Sequence, residues 1–193
     1  RIGALQIVDA GTVTFNGEMF VTTLTQSAGS VSTTFNQAVD AAGNIGLTGT
    51  DFTVNGGVST SGGGTVTIAN AGDLTIAGGG DMSLDGAFTQ SGAGAVSTAG
   101  DITTTGDDIA FATNVTPPQV STTGAVSLDT GAGVAGNISF GGGLNGSGNL
   151  TAAAGTGSVT FDGAVSGPFG SGTGAAITVT SGDLGVEFVS TVD

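Results

Sequence analysis

Residues 64–85 read GTVTIANAGDLTIAGGGDMSLD and contain one short pattern three times. The pattern is an apolar residue, a small polar residue and a second apolar residue. Its copies are Val66-Thr67-Ile68, Leu74-Thr75-Ile76 and Met82-Ser83-Leu84, which start eight residues apart. Alternation with a period of two predicts a β-strand with one buried face. The spacing leaves room for about four strand residues and a tight turn.

The same alternation recurs along the rest of the chain, between glycine-rich turns. Short strands at short recurring intervals predict a solenoid, in which each coil of the chain stacks on the previous one. Proline cannot donate a hydrogen bond to a sheet, so Pro117-Pro118 and Pro168 predict interruptions by loops. The apolar residues of the predicted strands outside residues 64–85 include Leu5, Ile7, Val13, Phe15, Val21, Leu24, Val31, Phe35, Val39, Ile45, Leu47, Phe52, Val54, Phe88, Val96, Ile102, Ile109, Phe111, Val126, Leu128, Ile138, Phe140, Leu150, Val159, Phe161, Ile177, Val179, Leu184, Val186 and Phe188.

These patterns predict an all-β fold, a parallel β-solenoid with three short strands per coil. If a coil takes roughly 20–24 residues, the 193 residues form about nine coils in a single segment, 1–193. Stacking at about 4.8 Å per coil would give a rod about 40–45 Å long. The alternative is two immunoglobulin-like sandwiches of about 95 residues each. Sandwich cores use larger aromatic residues, whereas this chain has 10 Phe and no Trp or Tyr.

The charge balance excludes several classes of partner. The formal net charge is −14, Arg1 is the only basic residue, and the chain has no His and no Cys. Binding of nucleic acid requires Lys and Arg to neutralise phosphates, and the same deficit disfavours anionic membrane surfaces. Because no run of 18 apolar residues occurs, we expect no membrane insertion. Without cysteine there is neither a disulfide nor a thiolate metal ligand.

Two segments carry a resemblance to a known type of protein. Residues 11–17 read GTVTFNG and residues 157–165 read GSVTFDGAV. This style of repeat, which extends over the whole chain, resembles that of bacterial surface proteins of the filamentous-haemagglutinin and autotransporter-adhesin type. The resemblance implies a right-handed parallel β-helix, an extracellular or bacterial cell-surface location, and a role in adhesion or in a fibrous matrix. It implies no catalytic residues.

The two ends of the sequence continue the same pattern into each other. Residues 185–193 read GVEFVSTVD and residues 1–15 read RIGALQIVDAGTVTF, and neither resembles the polar cap that a soluble solenoid needs. An uncapped coil exposes backbone donors and acceptors that can pair with a further coil. We therefore expect these residues to be one period of a longer array, either covalent or made of stacked copies, with self as the partner, end to end along the solenoid axis. The residues expected at this assembly interface are Arg1, Ile2, Leu5, Ile7, Val186, Phe188, Val189 and Val192.

Aspartates at predicted turns are the only candidates for metal binding. Asp73, Asp81, Asp85 and Asp101 could form a ladder whose mutual repulsion a structural Ca²⁺ would relieve. However, the segment lacks the Gly-Gly-x-Gly-x-Asp calcium repeat, and aspartate suits turn geometry without any metal. We therefore expect no cofactor, with structural calcium as the alternative.

One adjacent acidic pair, Asp107-Asp108, could in principle serve as a general acid and base on a polysaccharide. No Lys, His or Tyr is available to tune the pair, which favours a solvated turn. We therefore expect no enzyme. The sequence predicts instead a structural repeat unit of a secreted or surface-anchored bacterial extracellular fibre. The alternative is an adhesin segment that binds a cell-surface glycan or protein, with the Pro117-Pro118 loop as its candidate contact.

Overall fold

The computed structural model describes residues 1–111, 119–122 (backbone only), 125–167, 169, 177–180 and 184–192. These residues form 24 short β-strands. Their bounds are β1 Ile2–Ile7, β2 Thr12–Phe15, β3 Met19–Gln26, β4 Ser32–Phe35, β5 Val39–Ala41, β6 Ile45–Gly49, β7 Asp51–Val54, β8 Val58–Thr60, β9 Val66–Asn70, β10 Leu74–Ile76, β11 Met82–Ser83, β12 Phe88–Ser91, β13 Val96–Thr98, β14 Ile102–Thr103, β15 Ile109–Phe111, β16 Gln119–Thr122, β17 Val126–Asp129, β18 Ile138–Phe140, β19 Gly143–Gly146, β20 Leu150–Ala153, β21 Val159–Phe161, β22 Val165–Ser166, β23 Ile177–Thr180 and β24 Val186–Phe188.

The strands stack into three flat sides, which we call faces I, II and III. Face I is an eight-stranded sheet made of β2, β4, β7, β10, β13, β16, β19 and β22. The 16-stranded sheet supplies the other two faces, because β1 and β3 are long enough to run round the corner between them. Face II continues from the first half of β3 through β5, β8, β11, β14, β17, β20 and β23. Face III continues from its second half through β6, β9, β12, β15, β18, β21 and β24.

Every coil visits the faces in the order I, II, III, and neighbouring coils pair in parallel. The three copies of the pattern in residues 64–85 show this arrangement directly, because β9 lies on face III, β10 on face I and β11 on face II. Their apolar residues are buried, and the intervening Thr and Ser face outward. The predicted β-solenoid with three short strands per coil is therefore confirmed. Among the described residues there is no helix that is long and apolar enough to cross a membrane.

The number of coils is slightly smaller than expected. The eight strands of face I mark seven complete turns between them, against about nine coils expected from the sequence. The reason is that the corners vary in length: residues 42–44 connect β5 to β6, whereas residues 130–137 connect β17 to β18 on the same side of the rod. A coil consequently takes 19 residues from Thr33 to its partner Phe52, but 29 residues from Ile109 to its partner Ile138.

Residues at the same position in successive coils form columns along the rod, and the inward columns make up the core. On face III one column contains Phe111, Phe140, Phe161 and Phe188 in register. Their rings stack with centroid separations of 5.5, 5.1 and 4.7 Å. Parallel in-register strands place identical side chains directly above one another, which is what allows this ladder to form. One residue of the predicted strands, Val31, is 51% exposed because it precedes β4 at a corner.

Polar side chains complete the core where the chain turns from face III to face I. Gln90 donates from Nε2 to Oδ1 of Asn70 at 2.7 Å, and Nδ2 of Asn70 donates to the carbonyl oxygen of Gly72 at 2.7 Å. In the earlier coil, the Thr33 hydroxyl donates to Oε1 of Gln26 at 2.8 Å. All four of these side chains are buried. Buried backbone carbonyls at a corner need donors, and these amides supply them.

Candidate assembly surfaces and carboxylate positions

The N-terminal end of the rod exposes apolar columns that are buried in later coils. Leu5 and Ile7 of β1 continue face III columns, and Val13 and Phe15 of β2 continue face I columns. All four are only partly buried, because no described residue packs on their outer side. Ile2, which begins β1, is 59% exposed. The end coil therefore presents an apolar surface with the geometry of the core.

A groove of about 490 Å³ opens at the same end. It lies beside β1 and over β2, where no described strand covers face I. Arg1 borders the groove. Its Nη2 forms an ion pair with Oδ2 of Asp40 at 3.0 Å, and its Nη1 donates to the Val21 carbonyl oxygen at 3.3 Å. The groove is lined by ten residues, of which the larger ones are Arg1, Ile2, Leu5, Phe15, Met19 and Phe20.

The C-terminal end presents a matching set of apolar residues. Val186 and Phe188 of β24 are the last members of their face III columns and are 44% and 47% exposed. Within the part of the chain that the structure describes, the Phe188 ring stacks on Phe161 alone. Val192 forms a parallel bridge with Val165 and so ends a face I column. Val189, whose N–H donates to the Phe161 carbonyl, is exposed at the following corner.

The predicted interface residues thus lie on two separate surfaces. The N-terminal surface holds Arg1, Ile2, Leu5 and Ile7, and the C-terminal surface holds the other four. The sequence did not single out Val13, Phe15, Met19 and Phe20, which complete the N-terminal surface. Val13 and Phe15 alternate with Thr and so mark a strand, but only the register places them, and the adjacent Met19 and Phe20, at the rod end.

Six of the described corner carboxylates and amides accept backbone hydrogen bonds from the next coil. Oδ1 of Asp101 accepts from the Ser127 N–H at 2.7 Å, and Oδ1 of Asp108 accepts from the Asn137 N–H at 2.7 Å. The further pairs of this kind are Asn44 with Thr65, Asp51 with Asp73, Asp81 with Asp101 and Asn137 with Ser158. Each acceptor lies one coil before its donor, so these contacts give the stack a direction.

The four calcium candidates are distributed over three different corners. Asp81 and Asp101 precede face II strands in neighbouring coils, Asp73 precedes a face I strand, and Asp85 follows the face II strand β11. Within the described ranges, no group of three or more carboxylates is placed to hold a metal ion. Asp81, Asp85 and Asp101 are engaged with backbone N–H groups, a role that accounts for aspartate at these corners without a cation.

The adjacent pair Asp107-Asp108 also forms hydrogen bonds at the corner in which it lies. The Asp107 carbonyl accepts from the Thr104 hydroxyl, and Asp108 accepts from both the backbone N–H and Nδ2 of Asn137. The candidate adhesin contact, Pro117-Pro118, lies outside the described residues, as does Pro168.

Hydrogen bonds perturb the protonation equilibrium of the Asp85 carboxyl group. The Gly63 N–H donates to its Oδ2 at 2.9 Å and the Thr105 hydroxyl donates to its Oδ1 at 3.2 Å. These hydrogen bonds, the backbone one first, lower the pKa of Asp85 from the ordinary value of 3.8. They favour the charged form, since both donors point at the carboxylate.

We expect Asp85→Asn to change the pH dependence of stability. Because the pKa of Asp85 is lower in the folded state than in the unfolded state, the stabilisation that its carboxylate contributes is fully present above the unfolded pKa. It is lost as the pH falls through the folded-state pKa. Urea midpoints of both proteins, measured from pH 7 downward, should differ by a constant amount until about pH 4 and then converge. A difference that stays constant to the lowest pH would contradict this assignment.

Comparison of the chain with protein-family models, with curated proteins and with solved structures found no match.

Proposed function

We propose that this chain is a structural unit of a bacterial extracellular fibre, whose coils continue end to end from one copy to the next. The observation that carries the proposal is the stack of parallel coils itself, whose core columns keep one register along the described rod. Among the described residues Phe188 stacks only on Phe161 at one end, and Phe15 and Leu5 are partly buried at the other. Exposed contiguous apolar surface favours association, and parallel strand edges supply unpaired backbone groups for a further coil.

The polar, negatively charged sides of the rod favour association through its ends over association through its sides. Outward positions on the three faces are occupied mainly by Ser, Thr and Asp, and the net charge of −14 is spread along the chain. Like charge of this size keeps rods apart laterally. Contact between the small, mostly apolar ends involves less of this repulsion, so growth along the axis is favoured over bundling.

We expect the chain to form long, thin filaments at physiological salt concentration, and Phe188→Asp to abolish them. A carboxylate in the last position of the ladder would be buried without a partner in the assembly, at a cost of several kcal/mol. Electron microscopy and sedimentation velocity measure the effect. In a solenoid each coil contacts only its neighbours, so circular dichroism should show the rest of the fold unchanged.

Thr89→Asp is the matched control, because Thr89 faces outward on face III in the middle of the rod. It adds the same charge away from the ends and should leave the filaments intact. Rods about 40 Å long that stay separate at high concentration, with or without the substitution, would contradict the proposed function. The extracellular location rests on the sequence resemblance, and antibody labelling of intact cells tests it.

A further inference from the structure

Three asparagines of the chain are followed by glycine, in the pairs Asn16-Gly17, Asn55-Gly56 and Asn145-Gly146. Such pairs are prone to deamidation, because glycine has no side chain to hinder attack of its peptide nitrogen on the asparagine amide. Asn145 lies within β19, which is paired on both sides. Asn55 lies outside a strand, at the exposed corner between β7 and β8. Its reactivity therefore depends on what holds that corner.

The close approach of two coils requires the glycine at position 56. A Cβ on Gly56 would overlap the carbonyl carbon of Gln37, in the preceding coil, and would lie 2.6 Å from its carbonyl oxygen. Because these are backbone atoms, no movement of a side chain could make room for a larger residue. The packing of coils thus imposes a deamidation-prone pair on this corner.

The Asn55 side chain belongs to an asparagine ladder, formed by Asn16, Asn36 and Asn55 along this corner. Nδ2 of Asn55 donates to Oδ1 of Asn36 at 2.8 Å, and Nδ2 of Asn36 donates to Oδ1 of Asn16 at 2.8 Å. The backbone N–H of Asn55 donates to the Phe35 carbonyl oxygen at 2.9 Å. Both the side chain and the backbone of Asn55 are therefore tied to the preceding coil.

From these contacts we propose that Asn55 is a latent deamidation site, which the stacked coils protect and which reacts when its coil detaches. The peptide nitrogen of Gly56 loses its proton to water and attacks Cγ of Asn55. The N–Cγ bond forms, the Cγ–Nδ2 bond breaks, and Nδ2 leaves as ammonia with a proton from water. Water then opens the cyclic imide at one carbonyl to give aspartate, or at the other to give isoaspartate.

The asparagine ladder restrains the first step of this reaction. Cyclisation requires the Asn55 side chain to rotate until Cγ faces the Gly56 nitrogen, and this rotation breaks the hydrogen bond to Asn36. The nucleophile itself is not restrained in this way, because the Gly56 N–H donates to no acceptor among the residues that the structure describes. The rate of reaction is therefore set by how often the corner releases the Asn55 amide.

The isoaspartyl product is incompatible with the stacked corner. It carries the main chain through the former side-chain carbon and so adds one methylene group between β7 and β8. Val58, the first residue of β8, pairs with Val39 of the preceding coil and Met82 of the next one. A longer connection displaces that register. A coil that reacts while detached thus cannot restack in its original geometry, and the modification marks the place where the rod has opened.

The test measures deamidation of Asn55 in the native chain, in the chain unfolded by guanidinium chloride and in three folded variants, all at mildly alkaline pH. Tandem mass spectrometry of proteolytic peptides locates the product by the mass difference between NH2 and OH. Asn36→Ala removes the acceptor of Asn55 Nδ2, whereas Asn36→Asp keeps an acceptor there. Asn44→Ala is the matched control, because Oδ1 of Asn44 accepts from the Thr65 N–H at 3.0 Å at a different corner. Circular dichroism checks that each variant is folded.

We expect Asn55 to react at least about tenfold more slowly in the native chain than in the unfolded chain, because reaction requires local opening. Loss of one hydrogen bond should raise the rate about fivefold in Asn36→Ala. Asn36→Asp and Asn44→Ala should react at the native rate.

Equal rates in the native and unfolded chains would overturn the proposed protection. Acceleration by Asn44→Ala as large as that by Asn36→Ala would assign the effect to a general loss of stability and overturn the role of the asparagine ladder. Equal acceleration by Asn36→Asp and Asn36→Ala would overturn that role as well, because the aspartate retains the acceptor.

Discussion

Replacing Phe140 by alanine is expected to lower the free energy of unfolding by about 4 kcal/mol, within the range for buried Phe-to-Ala changes. Phe140 is fully buried and stacks between Phe111 and Phe161 at 5.5 and 5.1 Å. Two aromatic contacts are lost with the buried area, each worth about 1 kcal/mol. The neighbouring strands are held at a fixed spacing by their backbone hydrogen bonds, so the cavity cannot collapse.

Ser139→Ala is the matched control, because Ser139 precedes Phe140 in β18 and faces outward. It should change the free energy of unfolding by less than about 0.5 kcal/mol. Denaturation by urea, followed by circular dichroism, gives both values. A loss below about 1 kcal/mol for Phe140→Ala would mean that the phenylalanine column is not packed as described.

Replacing Gly94 by alanine is expected to destabilise the protein by about 3 kcal/mol, the upper part of the range for overpacked interiors. Gly94 lies at the corner between β12 and β13, directly over the preceding coil. A Cβ there would overlap the backbone carbonyl oxygen of Gly72 and lie 2.6 Å from Nδ2 of Asn70. The Asn70 amide donates to that same carbonyl. Relief would require the two coils to separate, which breaks adjoining hydrogen bonds.

Gly46→Ala is the matched control for Gly94→Ala, because Gly46 lies on the solvent side of β6. A Cβ at Gly46 meets no heavy atom within 4 Å, and its backbone is extended. Alanine reduces the freedom of the unfolded chain, so this variant should be neutral or more stable by up to about 1 kcal/mol. The melting temperature should fall in the Gly94→Ala variant and should stay unchanged or rise in the Gly46→Ala variant. Equal destabilisation by both would contradict the close approach of coils at Gly94.

The strands of this fold could be predicted because their signal is local. The alternation at Val66-Thr67-Ile68 or Leu74-Thr75-Ile76 requires only that one face be buried, and both segments form strands with that pattern. Val31 shows where the local signal fails. It is apolar and near a strand, yet lies at a corner, and only the positions of neighbouring coils reveal that it faces solvent.

The register between coils could not be predicted, because it depends on corner lengths that follow no fixed period. Gln90 pairs with Asn70 from the previous coil, and Asp101 accepts from Ser127 of the next one. These partners are 20 and 26 residues apart, and nothing in the local sequence pairs them. For the same reason the aspartates suggested a cation site, although the register assigns most of them a backbone N–H as partner.

The variable coil length has a mechanical consequence. A coil of 19 to 29 residues, the spacings from Thr33 to Phe52 and from Ile109 to Ile138, adds only about 4.8 Å to the rod. Pulled straight, the same residues span roughly 65–100 Å. Because the hydrogen bonds between coils run along the rod, axial tension would detach coils one at a time from an end. Each detachment would lengthen the chain more than tenfold locally, so a fibre of such units could absorb a sudden load by unwinding before it breaks.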